Sequence, residues 1–299
     1  MIETASRLGK LRRAGLACVA ALALGGCADA FFALVDAGAD TRNLEVRSNV
    51  VFDAEHGLHL DAYLPRNAAD APVAVFFYGG SWTEGRRRWY RYVGDALANH
   101  GVIAVIPDFR KYPDVQFPAF MHDAALAVAW TREHATELHA DPQRLFVMGH
   151  SSGGQIAALL ACDRRYLDAV GMRPRQLAGM IGLAGAYSFL PFVDDEAEIF
   201  GNDARGRYDS QPINFVDGDE PPMLLLQGTD DDEVPPSNAE AMAERAQAMD
   251  GTALLKLYDG VDHSAILLAF ARGQRTKVPA LADTLEFIDH PPSSRDMSR

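Results

Sequence analysis

Apolar residues in this chain fall into short runs separated by longer stretches with helical spacing. Two early segments alternate, Val46-Arg-Ser-Asn-Val-Val-Phe52 and Leu58-His-Leu-Asp-Ala-Tyr-Leu64. A period of two puts apolar side chains on one face, so these predict an antiparallel pair of half-buried strands. The later runs do not alternate: Val73–Tyr78, Val102–Ile106, Leu145–Met148, Met180–Leu183, Met223–Leu226 and Ala253–Leu257. Strands covered on both faces read this way. Helical patterns occupy Arg88–Asn99, Ala119–Glu137, Gln155–Ala161, Ser237–Met249 and Val278–Ile288. The alternation predicts an α/β fold, a mostly parallel eight-stranded sheet with helices on both faces. Residues 186–220, with Asp194, Asp195, Glu196, Gly201, Gly206 and Pro212, break the rhythm and read as a small cap-like loop insertion.

The amino terminus has a different character. Lys10, Arg12 and Arg13 precede Ala14–Leu24, an apolar run too short for a comfortable membrane span, and residues 1–26 read as a signal peptide. The run ends in Leu24-Gly25-Gly26-Cys27, which resembles a bacterial lipobox. The resemblance implies that Cys27 is lipidated and becomes the mature N-terminus. With Ala28 rather than Asp following, it implies an outer-membrane lipoprotein facing the periplasm. The alternative is an ordinary secretory signal cleaved near Ala28 or Ala30. Residues 27–44 then read as a tether, 45–290 as one globular domain and 291–299 as a loose tail.

Charge and cysteines narrow the partners. The formal net charge is −13. The first 26 residues hold four basic side chains against Glu3, so the remainder stands three units lower, at −16. Such a body repels nucleic acid and anionic lipid head groups. Cys18 leaves with the signal, Cys27 carries the lipid, and Cys162 stands alone on a helix as a small buried residue. No intramolecular disulfide is then available, and stability must come from the core.

The candidate chemistry centres on Gly149-His150-Ser151-Ser152-Gly153, between the run Leu145–Met148 and the helical segment from Gln155. Strand, tight Gly-x-Ser-x-Gly turn and helix form the context of a nucleophile elbow, with Ser151 as nucleophile. A serine hydroxyl needs a base to take its proton and an acid to orient that base. The required order is serine, acid, histidine. Met223-Leu-Leu-Leu-Gln227 ends in Gly228-Thr229-Asp230-Asp231-Asp232-Glu233-Val234-Pro235, which offers three adjacent aspartates. Beyond it, Leu255–Tyr258 leads to Asp259-Gly260-Val261-Asp262-His263, and His263 alone follows the acids in such a loop. His290 falls in the Pro-rich tail. No His-x-x-x-His, Cys-x-x-Cys or Gly-x-Gly-x-x-Gly pattern supports a metal or a cofactor, and none is expected.

On these motifs the chain, from about Val46 to Ile288, resembles the α/β-hydrolases of the esterase/lipase group. It is similar to their bacterial carboxylesterase and kynurenine formamidase-like branch. The acid loop of that fold reads Asp-x-x-Val-Pro, which selects Asp231 over Asp230 and Asp232. Tyr78-Gly79-Gly80-Ser81-Trp82 resembles the esterase His-Gly-Gly-Gly-Trp loop, with Tyr78 for histidine and Ser81 for the third glycine. The backbone N–H groups of Gly80, Ser81 and Ser152 are thereby implied as the oxyanion hole. Ile106-Pro107-Asp108-Phe109-Arg110 resembles the branch's Pro-Asp-Tyr-Arg loop, with Asp108 and Arg110 expected as an ion pair beneath the elbow. Trp82, Tyr187, Phe189 and Phe192 are candidate pocket walls.

The resemblance implies a serine carboxylester hydrolase acting on small to medium esters through a Ser-Asp-His triad and an acyl-enzyme. An arylformamidase and an acetyl or feruloyl carbohydrate esterase remain alternatives. Serine peptidases of the prolyl-oligopeptidase type usually carry a large N-terminal propeller, for which the chain has no room. An inactive envelope lipoprotein using the fold for binding is disfavoured by the intact triad.

Overall fold

A computed structural model describes residues 29–36, 38–275 and 277–292. The expected signal peptide, Cys27 and most of the 291–299 tail lie outside the described residues. Eight strands form one sheet: β1 (Leu44–Asp53), β2 (Leu58–Pro65), β3 (Ala71–Phe77), β4 (Ile103–Pro107), β5 (Ala140–His150), β6 (Gly179–Leu183), β7 (Met223–Gly228) and β8 (Ala253–Tyr258). Their order is β1-β2-β4-β3-β5-β6-β7-β8. The pairings β1–β2 and β2–β4 are antiparallel, and every pairing from β4–β3 onward is parallel. The α/β-hydrolase sheet expected from the apolar runs is therefore present, with the alternating segments at its antiparallel edge.

The helices are α1 (29–36), α2 (Arg91–Ala98), α3 (Ala119–Glu133), α4 (Ala135–Leu138), α5 (Ser152–Cys162), α6 (Arg164–Asp168), α7 (Glu196–Phe200), α8 (Ala204–Asp209), α9 (Ser237–Ala248), α10 (His263–Leu268) and α11 (Ala280–Asp289). Strands β3 and β4 are buried throughout, as a strand covered on both faces must be. All residues of α5 are buried as well. The lone Cys162 is buried and free among the described residues.

Two segments differ from expectation in detail. Residues 29–44, read as a tether, are helical over 29–36 and pack onto the domain, with Phe32 stacked on Trp89 at 5.1 Å. The backbone N–H of Tyr92 donates to Asp36 and that of Asp40 to Asp95. The sequence hid this because half of the apolar contact comes from Trp89 and Tyr90, some 55 residues away. Residues 186–220 hold two short helices, α7 and α8, around an aromatic knot in which Phe200 meets Trp82 edge-on at 4.9 Å.

Candidate active site

The elbow is built by close approach of backbones. Ser151 follows β5 with φ 54° and ψ −124°, a region that L-residues occupy only at a cost of about 1–3 kcal/mol. Its N–H donates to the Leu183 carbonyl at 3.0 Å, which ties the turn to the end of β6. A Cβ on Gly149 would lie 2.1 Å from the Gly153 carbonyl oxygen, and one on Gly153 would lie 2.1 Å from that of Phe77. Glycine is thus required at both positions by contact alone. Ser152 opens α5, so its N–H belongs to the first helical turn and has no acceptor within the helix.

Asp231 and His263 meet at 2.8 Å, His263 Nδ1 donating to Asp231 Oδ2. Both are buried. The same oxygen accepts from Gln227 Nε2 at 2.9 Å, and Oδ1 accepts the N–H groups of Glu233 and Val234. Burial pushes the Asp231 carboxyl up, but the hydrogen bonds from His263 and Val234 outweigh it and leave the group below its ordinary value. Asp230 and Asp232 are exposed. With Nδ1 committed to Asp231, Nε2 of His263 carries the lone pair.

No described hydrogen bond joins Ser151 Oγ to His263; the contact that Nε2 makes is with Glu233 Oε2 at 3.8 Å. The two are linked one residue away. His150 Nε2 lies 3.0 Å from the His263 carbonyl oxygen, and the two rings sit 4.6 Å apart. Catalytic hydrogen bonds often tighten only when substrate is bound.

The loop after β3 borders the elbow: a Cβ on Gly79 would stand 3.1 Å from Ser151 Cβ. Gly80 has φ 133°, Ser81 φ 49° and Trp82 φ 59°. The Gly80 carbonyl accepts from Thr83 and Glu84, and among the described hydrogen bonds none uses the N–H of Gly80 or Ser81. Tyr78, in the position of the usual histidine, is fully buried between Tyr90 and Phe109, at 5.2 and 4.7 Å. Its hydroxyl donates to Asp108 at 3.1 Å. Burial raises that hydroxyl well above its ordinary range and keeps it a donor. Trp82 Nε1 donates to Gln155, whose amide reaches the Ser210 carbonyl, so one buried glutamine joins this loop to the cap.

The expected Asp108–Arg110 pair does not form. Asp108 pairs with Arg87, and Arg110 clamps Asp123 at 2.6 Å. Both residues sit past the end of β4, but Asp108 finds its partner on the segment that precedes the strand and Arg110 finds its partner on α3, which follows it.

Ser151 lines a cavity of about 650 Å³ together with Ser81, Trp82, Phe189, Val234 and Pro235. Asp194, Glu196, Asp232 and Glu233 contribute carboxylates to it. Of the four aromatics expected as walls, Trp82 and Phe189 line this space. Tyr187 is fully buried against Gly182 and Gly185, and Phe192 packs on Phe189 and Phe200 behind it. Gln227, His150 and Gln155 went unnoticed in the sequence. The available signal was a polar side chain within an otherwise apolar run.

The strand order, the strained serine after the central strand and an acid–histidine pair at the ends of β7 and β8 define an α/β-hydrolase. Residues 122–291, more than half the chain, match the model of the prolyl oligopeptidase family, and the chain belongs to that family. Residues 60–178 match the BD-FAE model. Over 252 residues the chain is 28% identical to a probable isoprenylcysteine alpha-carbonyl methylesterase of Arabidopsis thaliana, covering 75% of this chain and 52% of that protein. The chain thus spans about half the length of this curated relative. A thermophilic esterase from Thermogutta terrifontis superposes with TM-score 0.66 at 25% identity, over 84% of this chain and 91% of that one. A truncated carbohydrate esterase from gut microbiota shares the fold, with TM-score 0.73 at 20% identity over 84% and 98% of the two chains.

Proposed function

We propose that this protein is a serine carboxylester hydrolase for small to medium esters. The observation that carries the reading is the buried Asp231–His263 hydrogen bond, together with a Ser151 held at positive φ and lining the cavity. His263 Nε2 takes the Ser151 proton as Oγ attacks the ester carbonyl. Asp231 fixes the imidazole tautomer and offsets the charge of the imidazolium. The N–H groups of Gly80, Ser81 and Ser152 receive the oxyanion. The alcohol leaves with the proton from His263, and water activated by the same nitrogen releases the acid. The cavity suits a modest acyl group, and the similarity to a plant methylesterase favours a small alcohol as leaving group.

The lipobox resemblance of Leu24–Cys27 supports a lipid on Cys27 and a place in the cell envelope, at the outer membrane facing the periplasm. The test of activity is labelling by a fluorophosphonate probe together with turnover of p-nitrophenyl acetate and butyrate. Ser151→Ala should abolish both. Retention of full esterase activity by that variant would refute the assignment, and faster turnover of N-formylkynurenine than of any ester would replace it with arylformamidase.

A further inference from the structure

Helix α1 is apolar on both sides. Phe32 and Val35 face inward and pack against the core cluster. Phe31 and Leu34, one helical step away, point outward and are 49% and 75% exposed. A helix that is apolar all round is normally buried, yet the outer side of this one is covered by none of the described residues. Beside it runs Arg86-Arg87-Arg88-Trp89-Tyr90-Arg91. Arg87 turns inward to Asp61 and Asp108. Arg86, Arg88 and Arg91 are exposed. Arg88 meets Asp29 at 2.8 Å, and Arg86 lies over the Trp89 ring at 5.7 Å. Trp89, only partly buried, donates its indole N–H to Asp29. Acids also lie near the patch: Asp29 is paired with Arg88, and Asp36 on α1 is close enough to Arg91 to feel its charge.

We infer that this face seats on an anionic phospholipid surface, with Phe31 and Leu34 entering the acyl boundary and Arg86, Arg88 and Arg91 meeting headgroup phosphates. Three observations choose this occupant. With its inner side held on the domain, α1 leaves the outward pair Phe31 and Leu34 as an exposed apolar side, and Trp89 with the arginines supplies the side chains that sit at headgroup level. The arginines are crowded into six positions of a chain whose net charge is −13, and Arg86 and Arg91 make no salt bridge among the described residues, so this face presents two cations to a phosphate. Screening over roughly 8 Å at physiological salt lets the local face, rather than the distant carboxylates, govern contact with a membrane. Finally, Asp29 stands two residues beyond Cys27, so a lipid there leaves no chain for a tether and brings α1 to the bilayer. The inference is independent of esterase activity.

A chain beginning at Ala28, which keeps every described residue and carries no lipid, is sedimented with vesicles of phosphatidylglycerol or of phosphatidylcholine. The expected result is binding to phosphatidylglycerol vesicles that weakens at least tenfold in high salt. Phe31→Ser with Leu34→Ser, and separately Arg86→Glu with Arg91→Glu, should each reduce it by a similar factor. Unchanged circular dichroism and fluorophosphonate labelling would show that both variants stay folded. Failure of the unmutated chain to bind, or equal binding by the variants, overturns the proposal. So does a concentration-dependent dimer that the serine substitutions dissolve, because the face would then be covered by a second copy.

Discussion

His150 Nε2 donates to the backbone carbonyl of His263 at 3.0 Å, so the residue preceding the proposed nucleophile holds the proposed base. This is how a β5 turn and a β8 loop, separated by more than a hundred positions, are kept in register. Substituting His150→Leu leaves a buried carbonyl unpaired, at about 1–3 kcal/mol. It should lower kcat by about tenfold, equivalent to some 1.4 kcal/mol of lost transition-state stabilisation. His150→Gln, which can still donate, should recover part of kcat. If both variants turned over equally, the hydrogen bond would have no positioning role.

The same side chain sets a pH dependence. Burial, and secondarily the charge of His263, pull the His150 imidazole down to about 3. In the unfolded chain it titrates near 6.5. Between those values the unfolded state takes up a proton that the folded state refuses. Stability from this group is therefore complete above about 6.5 and falls as the pH drops, by up to about 1.4 kcal/mol per unit. Urea melts from about pH 7 to about pH 4 should show a shallower slope for His150→Gln than for the unmutated chain. An identical slope would place the acid sensitivity elsewhere.

Asp231 accepts four hydrogen bonds, whereas Asp230 and Asp232 point to solvent. Asp231→Asn should reduce kcat by about 10⁴, as loss of the orienting carboxylate does in related triads. Asp230→Asn and Asp232→Asn should stay near the unmutated rate. Gln227→Met removes the amide that shares Asp231 Oδ2 and should cost about tenfold in kcat with little change in KM. Steady-state kinetics of the four variants on one p-nitrophenyl ester suffice, and a severe loss in Asp232→Asn would reassign the acid.

Gly80 carries φ 133°, and a Cβ there would lie 2.6 Å from the Glu84 carbonyl oxygen. Gly80→Ala should therefore shift the loop and its N–H groups. Loss of one oxyanion donor is worth about 10²–10³ in kcat, while fluorophosphonate labelling of Ser151 should slow without vanishing. Unaltered kcat would remove this loop from the oxyanion hole.

Asp36 tests the docking of residues 29–43. Burial raises its carboxyl to about 6, although the Tyr92 N–H opposes the shift. A carboxyl raised on folding contributes fully at low pH and loses that contribution as the pH rises through about 6. Asp36→Asn keeps the acceptor without the charge. It should raise the melting temperature at about pH 8 and leave it unchanged at about pH 4. No difference between the two pH values would mean that the segment is not docked in solution.

The strands were legible because a parallel sheet covered on both faces demands uninterrupted apolar runs, and those runs lie where β3 to β7 formed. The elbow was legible because backbone crowding admits only glycine at 149 and 153. Other relationships came only from the fold. The sequence paired Asp108 with Arg110 by adjacency, but direction decides contact: each side chain leaves the β4 loop toward a different neighbour, Arg87 or Asp123. Residues 29–44 looked like a tether because their apolar partners, Trp89 and Tyr90, sit far along the chain. Local pattern, set by the period of strand or helix, determined the sheet, the elbow and the order of the candidate triad. The Asp-x-x-Val-Pro pattern already singled out Asp231; what braces Tyr78 and where α1 rests depend on segments meeting from distant positions, and only tertiary packing decides that.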